Sequence, residues 1–216
     1  MERIVDLTHE IETSMPIYPG DPSVEIKSWN THEKNGCQIS KILMGSHTGT
    51  HVDAPWHFNP QGASLDNLSL SRFVGKGTLI DVSNKGTNEK IDTKDIAAYR
   101  SYISSGEFVV FMTGWDRHYR ERMYFKHPFL TETAAKMLVD MGVSLVGIDT
   151  LSVDSTMDKT FSVHSVLMNA EILIVENLCN LKEVPFVKGM YSFLPLKVKK
   201  GDGSPVRAIF FDSPVD

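Results

Sequence analysis

Cysteine is nearly absent from this sequence, which has only Cys37 and Cys179 among its 216 residues. Two thiols cannot form the disulfide framework that stabilises many small secreted proteins, so we expect both to be buried and reduced. The sequence also lacks any apolar run near the roughly 20 residues of a membrane-spanning helix. Its first residues have no signal-peptide pattern. These absences predict a cytoplasmic protein without a membrane partner.

An excess of basic residues is missing too. The formal net charge is −5 at pH 7, which argues against nucleic acid as a partner because nucleic-acid binding proteins carry basic patches. Hydrophobic residues make up 41% of the chain and charged residues 23%, as in ordinary globular proteins. A chain of this length buries most of its apolar surface in one core, so we expect a single domain over residues 1–216.

The sequence does contain a dense group of potential metal ligands. His47, His51, Asp53 and His57 lie within eleven residues, although the whole chain has only eight histidines. Imidazole and carboxylate groups together are typical ligands of zinc, manganese and iron. The spacing predicts a metal site and leaves one histidine for proton transfer.

The backbone around this group is not expected to be helical. Threonine, valine and glycine are poor helix formers, and Pro55 disfavours helical geometry at the residue before it. Side chains alternate along an extended chain, which predicts that His51 and Asp53 share a face, with His47 further back on it. Gly49 can adopt dihedral angles closed to other residues and would let the chain curl around an ion.

The second half of the chain is expected to supply further ligands. His164 and Glu176 are the best candidates, because Glu176 follows the apolar run Ile-Leu-Ile-Val. A carboxylate at the end of a buried strand is costly unless it is paired or bound to a cation. A second acidic group, Asp149, Asp154 and Asp158, is assigned to turns and helix caps.

Short strand-like and helix-like runs alternate along the chain, which predicts an α/β fold with a mixed sheet. The predicted strands are Arg3–Leu7, Val24–Trp29, Ile39–Met44, Thr78–Val82, Phe108–Met112, Leu145–Ile148, Ile172–Val175 and Val206–Phe211. The predicted helices are Thr93–Tyr99, Thr131–Met141 and Ser162–Asn169. Thr131 is a suitable N-cap for the second of these helices.

Several sequence blocks together resemble one family. The blocks are Tyr-Pro-Gly-Asp at Tyr18–Asp21, the complete motif His-Thr-Gly-Thr-His-Val-Asp-Ala-Pro-Trp-His at His47–His57, Thr-Gly-Trp at Thr113–Trp115, Gly-Ile-Asp-Thr-Leu-Ser-Val-Asp at Gly147–Asp154, and Pro-Leu-Lys with Asp-Gly-Ser-Pro-Val-Arg-Ala near the C-terminus. Over essentially its whole length the chain resembles the cyclase family of metal-dependent hydrolases, whose best understood members are the bacterial kynurenine formamidases. The resemblance implies a swivelling β/β/α domain that forms a homodimer or a larger homo-oligomer.

The resemblance also implies roles for individual residues. It implies two divalent ions, zinc first with manganese as the alternative, and a set of metal ligands. This set is His47, His51, Asp53, His164 and Glu176. Asp53 and Glu176 would bridge the two ions, and His57 would act as proton donor and acceptor.

The implied activity is hydrolysis of an amide bond by metal-activated water, with a small-molecule amide as substrate. The first hypothesis is conversion of N-formylkynurenine and water into kynurenine and formate, with Tyr18 against the substrate ring where the formamidases have tryptophan. The alternative is a cyclic amide or lactone hydrolase of the isatin hydrolase type. A non-catalytic metal-binding protein is the alternative from a different class. The chain has no Gly-x-Ser-x-Gly nucleophile elbow, which argues against a serine hydrolase.

Overall fold

The computed structural model of the protein describes residues 3–157 and 160–212. Its strands are β1 (Ile4–Asp6), β2 (Glu25–Asn30), β3 (Ile39–Leu43), β4 (His51–Asp53), β5 (Val74–Asp81), β6 (Lys90–Ile91), β7 (Phe108–Met112), β8 (Phe129–Leu130), β9 (Leu145–Ile148), β10 (Leu173–Glu176), β11 (Lys188–Ser192), β12 (Gly203–Pro205) and β13 (Ile209–Phe211). Its α-helices are α1 (His32–Asn35), α2 (Thr93–Ala97), α3 (Glu132–Asp140) and α4 (Ser162–Asn169). Among the residues described, no helix is long and apolar enough to cross a membrane.

Nine of the strands form one mixed sheet in the order β1-β13-β11-β5-β7-β9-β10-β4-β12. The four central strands β5, β7, β9 and β10 run parallel to their neighbours within this group. The outer strands pair antiparallel, and they include β4 and β12 on one side. The predicted α/β fold with a mixed sheet is therefore confirmed.

Both faces of the central strands are covered by apolar side chains. Along β7, Val110 packs into one cluster with Val175 and Tyr191, whereas Val109 and Phe111 pack into a second cluster on the other face. This alternation follows from the two-residue period of a strand. Strands buried on both faces are continuous apolar runs, which is why Phe108–Met112 could be predicted.

Helices α3 and α4 cover the second face of the sheet. Their residues Ala134, Leu138, Leu167 and Met168 belong to the second cluster. Helix α3 starts where expected, since the Thr131 hydroxyl accepts a hydrogen bond from the Ala134 N–H at 3.1 Å. Helix α4 has the predicted bounds, so the element that carries a candidate ligand was correctly located.

Two strand predictions differ from the structure near the site. The strand predicted at Ile172–Val175 is shifted by one residue, so that Glu176 is its last member rather than the residue after it. The strand predicted at Val206–Phe211 begins only at Ile209. Val206 instead forms an isolated bridge with Pro195, and β12 and β13 are not neighbours in the sheet.

The prediction for the two cysteines is half right. Cys179 is buried, but Cys37 is exposed, and both are free thiols. Cys37 lies between α1 and β3, at the end of a hairpin in which β2 and β3 form a separate two-stranded sheet. Every residue of β3 is exposed, so the segment that enters this strand offers no buried place for the thiol.

Candidate metal centre

The sheet brings three of the candidate ligands together. Strand β4 carries His51 and Asp53, which point to the same face because they are two residues apart. Strand β10 pairs with β4 so that Glu176 lies opposite His51. The prediction that His51 and Asp53 share a face agrees with this register.

His47 also lies in this group of ligands, but its backbone conformation differs from the one expected. It lies in a turn and not on an extended strand, because β4 begins only at His51. Gly49 has a φ of 61°, a left-handed conformation that favours glycine and lets the chain double back. His47 Nδ1 thereby lies 2.6 Å from Asp53 Oδ1. The predicted curl at Gly49 is confirmed, and the predicted extended placement of His47 is wrong.

His164 enters the site from helix α4, where it is the third residue. The carboxylate of Asp154 accepts hydrogen bonds from the backbone N–H groups of Val163 and His164, both at 2.9 Å. These are N–H groups that have no partner inside a helix. Asp154 is therefore a helix cap, as its assignment to caps and turns expected, and it also fixes the start of α4 beside the sheet.

Asp53 occupies the centre of the group. Its Oδ1 is 3.2 Å from His51 Nε2, and its Oδ2 is 3.6 Å from His164 Nε2. Glu176 faces the same two rings, with Oε2 3.6 Å from His51 Nε2 and Oε1 3.4 Å from His164 Nε2. The structure thus brings all five predicted ligands together, with the three imidazole rings around the two carboxylates.

These five residues form two groups that could each hold one metal ion. One group is His47, His51 and Asp53, and the other is Asp53, His164 and Glu176. Asp53 belongs to both groups. A carboxylate has two oxygens and can serve two cations, so this sharing is the arrangement that a two-metal site requires.

Each histidine of these groups has its outer ring nitrogen held by an oxygen acceptor. The three bonds run from His51 Nδ1 to the Gly49 carbonyl at 2.7 Å, from His164 Nδ1 to the Asp154 carboxylate at 2.7 Å, and from His47 Nε2 to the Asp202 carboxylate at 3.0 Å. Metal-binding histidines are typically oriented in this way, with the inner nitrogen left for the ion. The pattern supports the choice of these three rings as ligands.

The charges within the site shift the pKa values of its members. Burial would lower the pKa of His47, but the Asp53 charge and the bonds to Asp202 and Asp53 raise it to about 10. Burial would also lower the pKa of His164, but the Glu176 charge and the hydrogen bond to Asp154 raise it to about 10. Burial, reinforced by the Asp53 charge, raises the pKa of Glu176 above its usual range.

The residues present fit a divalent cation. Asp53 Oδ2 is buried, and among the described residues it has no hydrogen-bond partner. Buried polar atoms are almost always paired, so an orphaned carboxylate oxygen calls for an explanation. The surrounding imidazole nitrogens and carboxylate oxygens are the donors that zinc and manganese accept.

His57 lies at the rim of this group. It ends a short 3-10 turn at Pro55–His57 that directly follows β4. Its ring stacks on that of His47 with centroids 3.9 Å apart. Burial lowers its pKa to about 4. His47, His57 and Asp202 could form a further metal-binding group, but its members are less buried than those around Asp53.

A cleft opens above these residues and has aromatic walls. Tyr18, Phe58 and Phe161 line it together with the histidines. The ring centroids of Tyr18 and Phe161 are 6.1 Å apart. Tyr18 begins a turn in which the Asp21 N–H donates to the Tyr18 carbonyl at 3.0 Å, and Gly20 supplies the positive φ that this turn needs. The Tyr-Pro-Gly-Asp block therefore holds an aromatic ring at the cleft.

Two contacts in the site were not predicted from the sequence. One is the contact of Asp202 with His47, since only the Asp-Gly-Ser-Pro block and not Asp202 itself was singled out. The other is the hydrogen bond that the His164 ring donates to the Asp154 carboxylate. Asp149 has a structural role, as predicted, because it accepts hydrogen bonds from Thr113 and Gly114. Asp158, from the same acidic group, lies outside the described residues.

Comparison with known proteins agrees with this geometry. A sequence model described as "Putative cyclase" matches residues 5–155. The kynurenine formamidase of Bacillus cereus is 33% identical over 209 residues and that of Erythrobacter litoralis is 30% identical over 215 residues. The alignments cover 95% and 98% of this chain, respectively, and 95% of each relative.

The chain belongs to the cyclase family. Its fold is also similar to that of a solved "potential metal-dependent hydrolase with cyclase activity", with 32% identity, a TM-score of 0.84 and full coverage of both chains. Isatin hydrolase A from Labrenzia aggregata, at 26% identity, has a TM-score of 0.90 over 98% of this chain and 94% of that chain.

The relatives and the site together identify the chain as an enzyme, a metal-dependent amide hydrolase of this family. The non-catalytic alternative is therefore wrong. The two histidine and carboxylate groups around Asp53 indicate where a divalent metal binds.

The raised pKa values of His47 and His164 predict that metal binding releases protons. Without metal we expect both rings to be positively charged imidazolium ions at pH 8, because their pKa values are about 10. A histidine must be neutral to coordinate, so saturation at pH 8 should release about two protons per chain, and metal affinity should rise with pH up to about 10. Titration calorimetry in buffers of different ionisation enthalpy measures this number. Metal binding without proton release at pH 8 would contradict the assignment.

Proposed function

We propose that this enzyme hydrolyses an aryl formamide, with N-formylkynurenine as substrate and kynurenine and formate as products. The observation that carries the proposal is the buried Asp53, shared by two groups of ligands beneath a cleft with aromatic walls. The metal ligands at the bottom of the cleft would supply the hydrolytic chemistry, and the aromatic walls suit a flat substrate ring. The kynurenine formamidases among its relatives support this choice of substrate.

Two divalent ions are proposed, with zinc first and manganese as the alternative. His47, His51 and Asp53 would hold one of them, and His164 and Glu176 would hold the other together with Asp53. Such ions supply Lewis acidity, which makes water acidic enough to ionise near neutral pH and polarises a carbonyl group. Glu176 Oε1 also accepts the Val153 N–H at 2.7 Å, which keeps this carboxylate oriented toward the site.

His57 is proposed as the acid and base of the reaction. Since burial lowers its pKa to about 4, the ring enters the reaction neutral at pH 7 and can accept a proton from the attacking water. It then returns this proton to the amine nitrogen as the carbon–nitrogen bond breaks. Its place at the rim, beside the cleft rather than among the buried ligands, suits a group that must meet both water and substrate.

A cyclic amide or lactone hydrolase remains the second candidate. The similarity to isatin hydrolase A, with a TM-score of 0.90, favours it. Ring opening of a cyclic amide needs the same metal ligands and the same proton transfer by His57. The aromatic walls suit both substrates, so the choice between them depends on the wall residues and not on the metal ligands.

We also propose that the chain acts as a homodimer or larger homo-oligomer in the cytoplasm, with residues 1–216 forming one domain. Trp29, Ile42 and Leu43 on the β2–β3 hairpin are each more than half exposed, which supports contact with a second copy because a two-stranded hairpin is marginally stable alone. The two free thiols are compatible with a reducing compartment.

One prediction of this proposal separates proton transfer from metal binding. His57→Ala should retain its metal while kcat falls by about two to four orders of magnitude, the usual contribution of a positioned acid or base. His51→Ala should lose metal as well as activity. Metal analysis and steady-state kinetics of both variants measure the difference, with the exposed His32→Ala as control. If His57→Ala is purified without metal, His57 is a ligand and the assignment fails.

Another prediction of this proposal concerns the substrate. Stacking on Tyr18 would contribute about 0.5–1.5 kcal/mol beyond simple burial, an effect of at most about tenfold, since 1.36 kcal/mol corresponds to tenfold in rate. Tyr18→Ala should therefore raise KM for N-formylkynurenine more than it lowers kcat, and Tyr18→Trp should improve kcat/KM modestly.

Kinetics with N-formylkynurenine and isatin measured in parallel decide between the two candidates. The exposed Tyr102→Ala serves as a control for loss of a tyrosine elsewhere. Unchanged constants in both Tyr18 variants, with a lower thermal midpoint for Tyr18→Ala, would show that Tyr18 only packs. Turnover of isatin but not of N-formylkynurenine would favour the cyclic amide.

A further inference from the structure

The Asp-Gly-Ser-Pro block supplies no proposed metal ligand and no proposed acid or base, although Asp202 contacts the His47 ring. Asp202 directly precedes β12, which pairs with β4 so that Gly203 lies opposite Asp53 and Pro205 lies opposite His51. The Asp202 carbonyl accepts the Ala54 N–H at 2.8 Å. The backbone of Asp202 is thus fixed against the strand that carries two of the proposed ligands.

The Asp202 carboxylate faces two imidazole rings. Its Oδ2 lies 3.0 Å from His47 Nε2 and 3.9 Å from His57 Nδ1. The Ser46 hydroxyl donates to the same oxygen at 3.3 Å. Because the rings of His47 and His57 are stacked, one carboxylate oxygen faces a ring nitrogen of each.

Gly203 shows how closely this strand approaches His47. A Cβ atom added at Gly203 would lie 2.5 Å from His47 Cε1, closer than side-chain atoms tolerate. The His47 ring therefore lies directly against the backbone of β12, with Asp53 at one nitrogen and Asp202 at the other. Its orientation is determined by these three neighbours.

His57 has no comparable support. In the part of the chain that the structure describes, neither of its ring nitrogens makes a hydrogen bond, and Asp202 is the one acidic residue within 4.0 Å of them. This 3.9 Å separation is longer than a hydrogen bond, but it makes Asp202 the acidic group toward which His57 Nδ1 can turn.

We propose that Asp202 is the positioning residue of this site. Its carboxylate holds His47 through Nε2 and, from the same oxygen, keeps Nδ1 of His57 turned toward itself, which leaves Nε2 of His57 for proton transfer. An aspartate orients the histidine of a catalytic triad by the same principle. The part that concerns His57 rests on the proposed function, whereas the part that concerns His47 requires only metal binding.

The test compares Asp202→Asn with the wild-type enzyme and with His57→Ala. At saturating metal, kcat of Asp202→Asn should fall about 10–100-fold with KM nearly unchanged, and the metal dissociation constant from chelator competition should rise about tenfold. The double variant should be no slower than His57→Ala, because residues that act as a unit are not additive. A residue with a merely structural role would lower kcat in both backgrounds.

Asp66→Asn is the matched control. The Asp66 carboxylate accepts the Lys200 N–H at 3.0 Å and supports the same loop, but it touches no histidine of the site. Its kinetic constants and metal affinity should equal those of the wild type. Asp202→Glu, which keeps the carboxylate, should recover part of the kcat lost in Asp202→Asn and guards against a variant that fails to fold.

Two results would overturn the proposal. One is wild-type kcat and metal affinity in Asp202→Asn, and the other is a double variant whose loss is the product of the two single losses. If the wild-type enzyme hydrolyses no amide, the proposed function fails, and the metal affinity of Asp202→Asn alone then decides. An unchanged dissociation constant in that case would refute the contact with His47 as a positioning device.

Discussion

The burial of two carboxylates side by side is the constraint on which the rest of this structure depends. Asp53 and Glu176 are each at most 5% exposed, and both face the rings of His51 and His164. Buried charges of one sign are very costly unless cations or donors surround them. The fold meets this cost by placing β4 antiparallel between β10 and β12, so that rings from a turn, a strand and a helix converge on one point.

Sequence reasoning recovered the parts of this arrangement that have a local signal. The ligand motif is contiguous, and the continuous apolar runs of β7 and β9 have the predicted bounds. Glu176 was identified because a carboxylate after a buried strand needs a partner. The expected extended placement of His47 failed because the chain turns at Gly49, and the role of Asp202 could not be predicted because it depends on the pairing of β12 with β4, which are distant in sequence.

The residues proposed to bind metal are different from those proposed to contact the substrate ring. The ligands and their supporting acceptors are buried in the sheet and in α4, where a change of one side chain would leave a charge unpaired. The walls of the cleft, Tyr18, Phe58 and Phe161, come from a turn and from loop segments outside the sheet. Tyr18 is the wall residue whose ring contact is with another wall ring, that of Phe161, whereas Phe58 and Phe161 also contact the His164 ring.

The metal content of protein purified without chelator tests the central claim most directly. If Asp53 is shared between two ions, elemental analysis should give about two equivalents of divalent metal per chain, and His164→Gln should retain about one because only the second group is broken. A single tightly bound equivalent that supports full activity, unchanged in His164→Gln, would contradict the shared carboxylate.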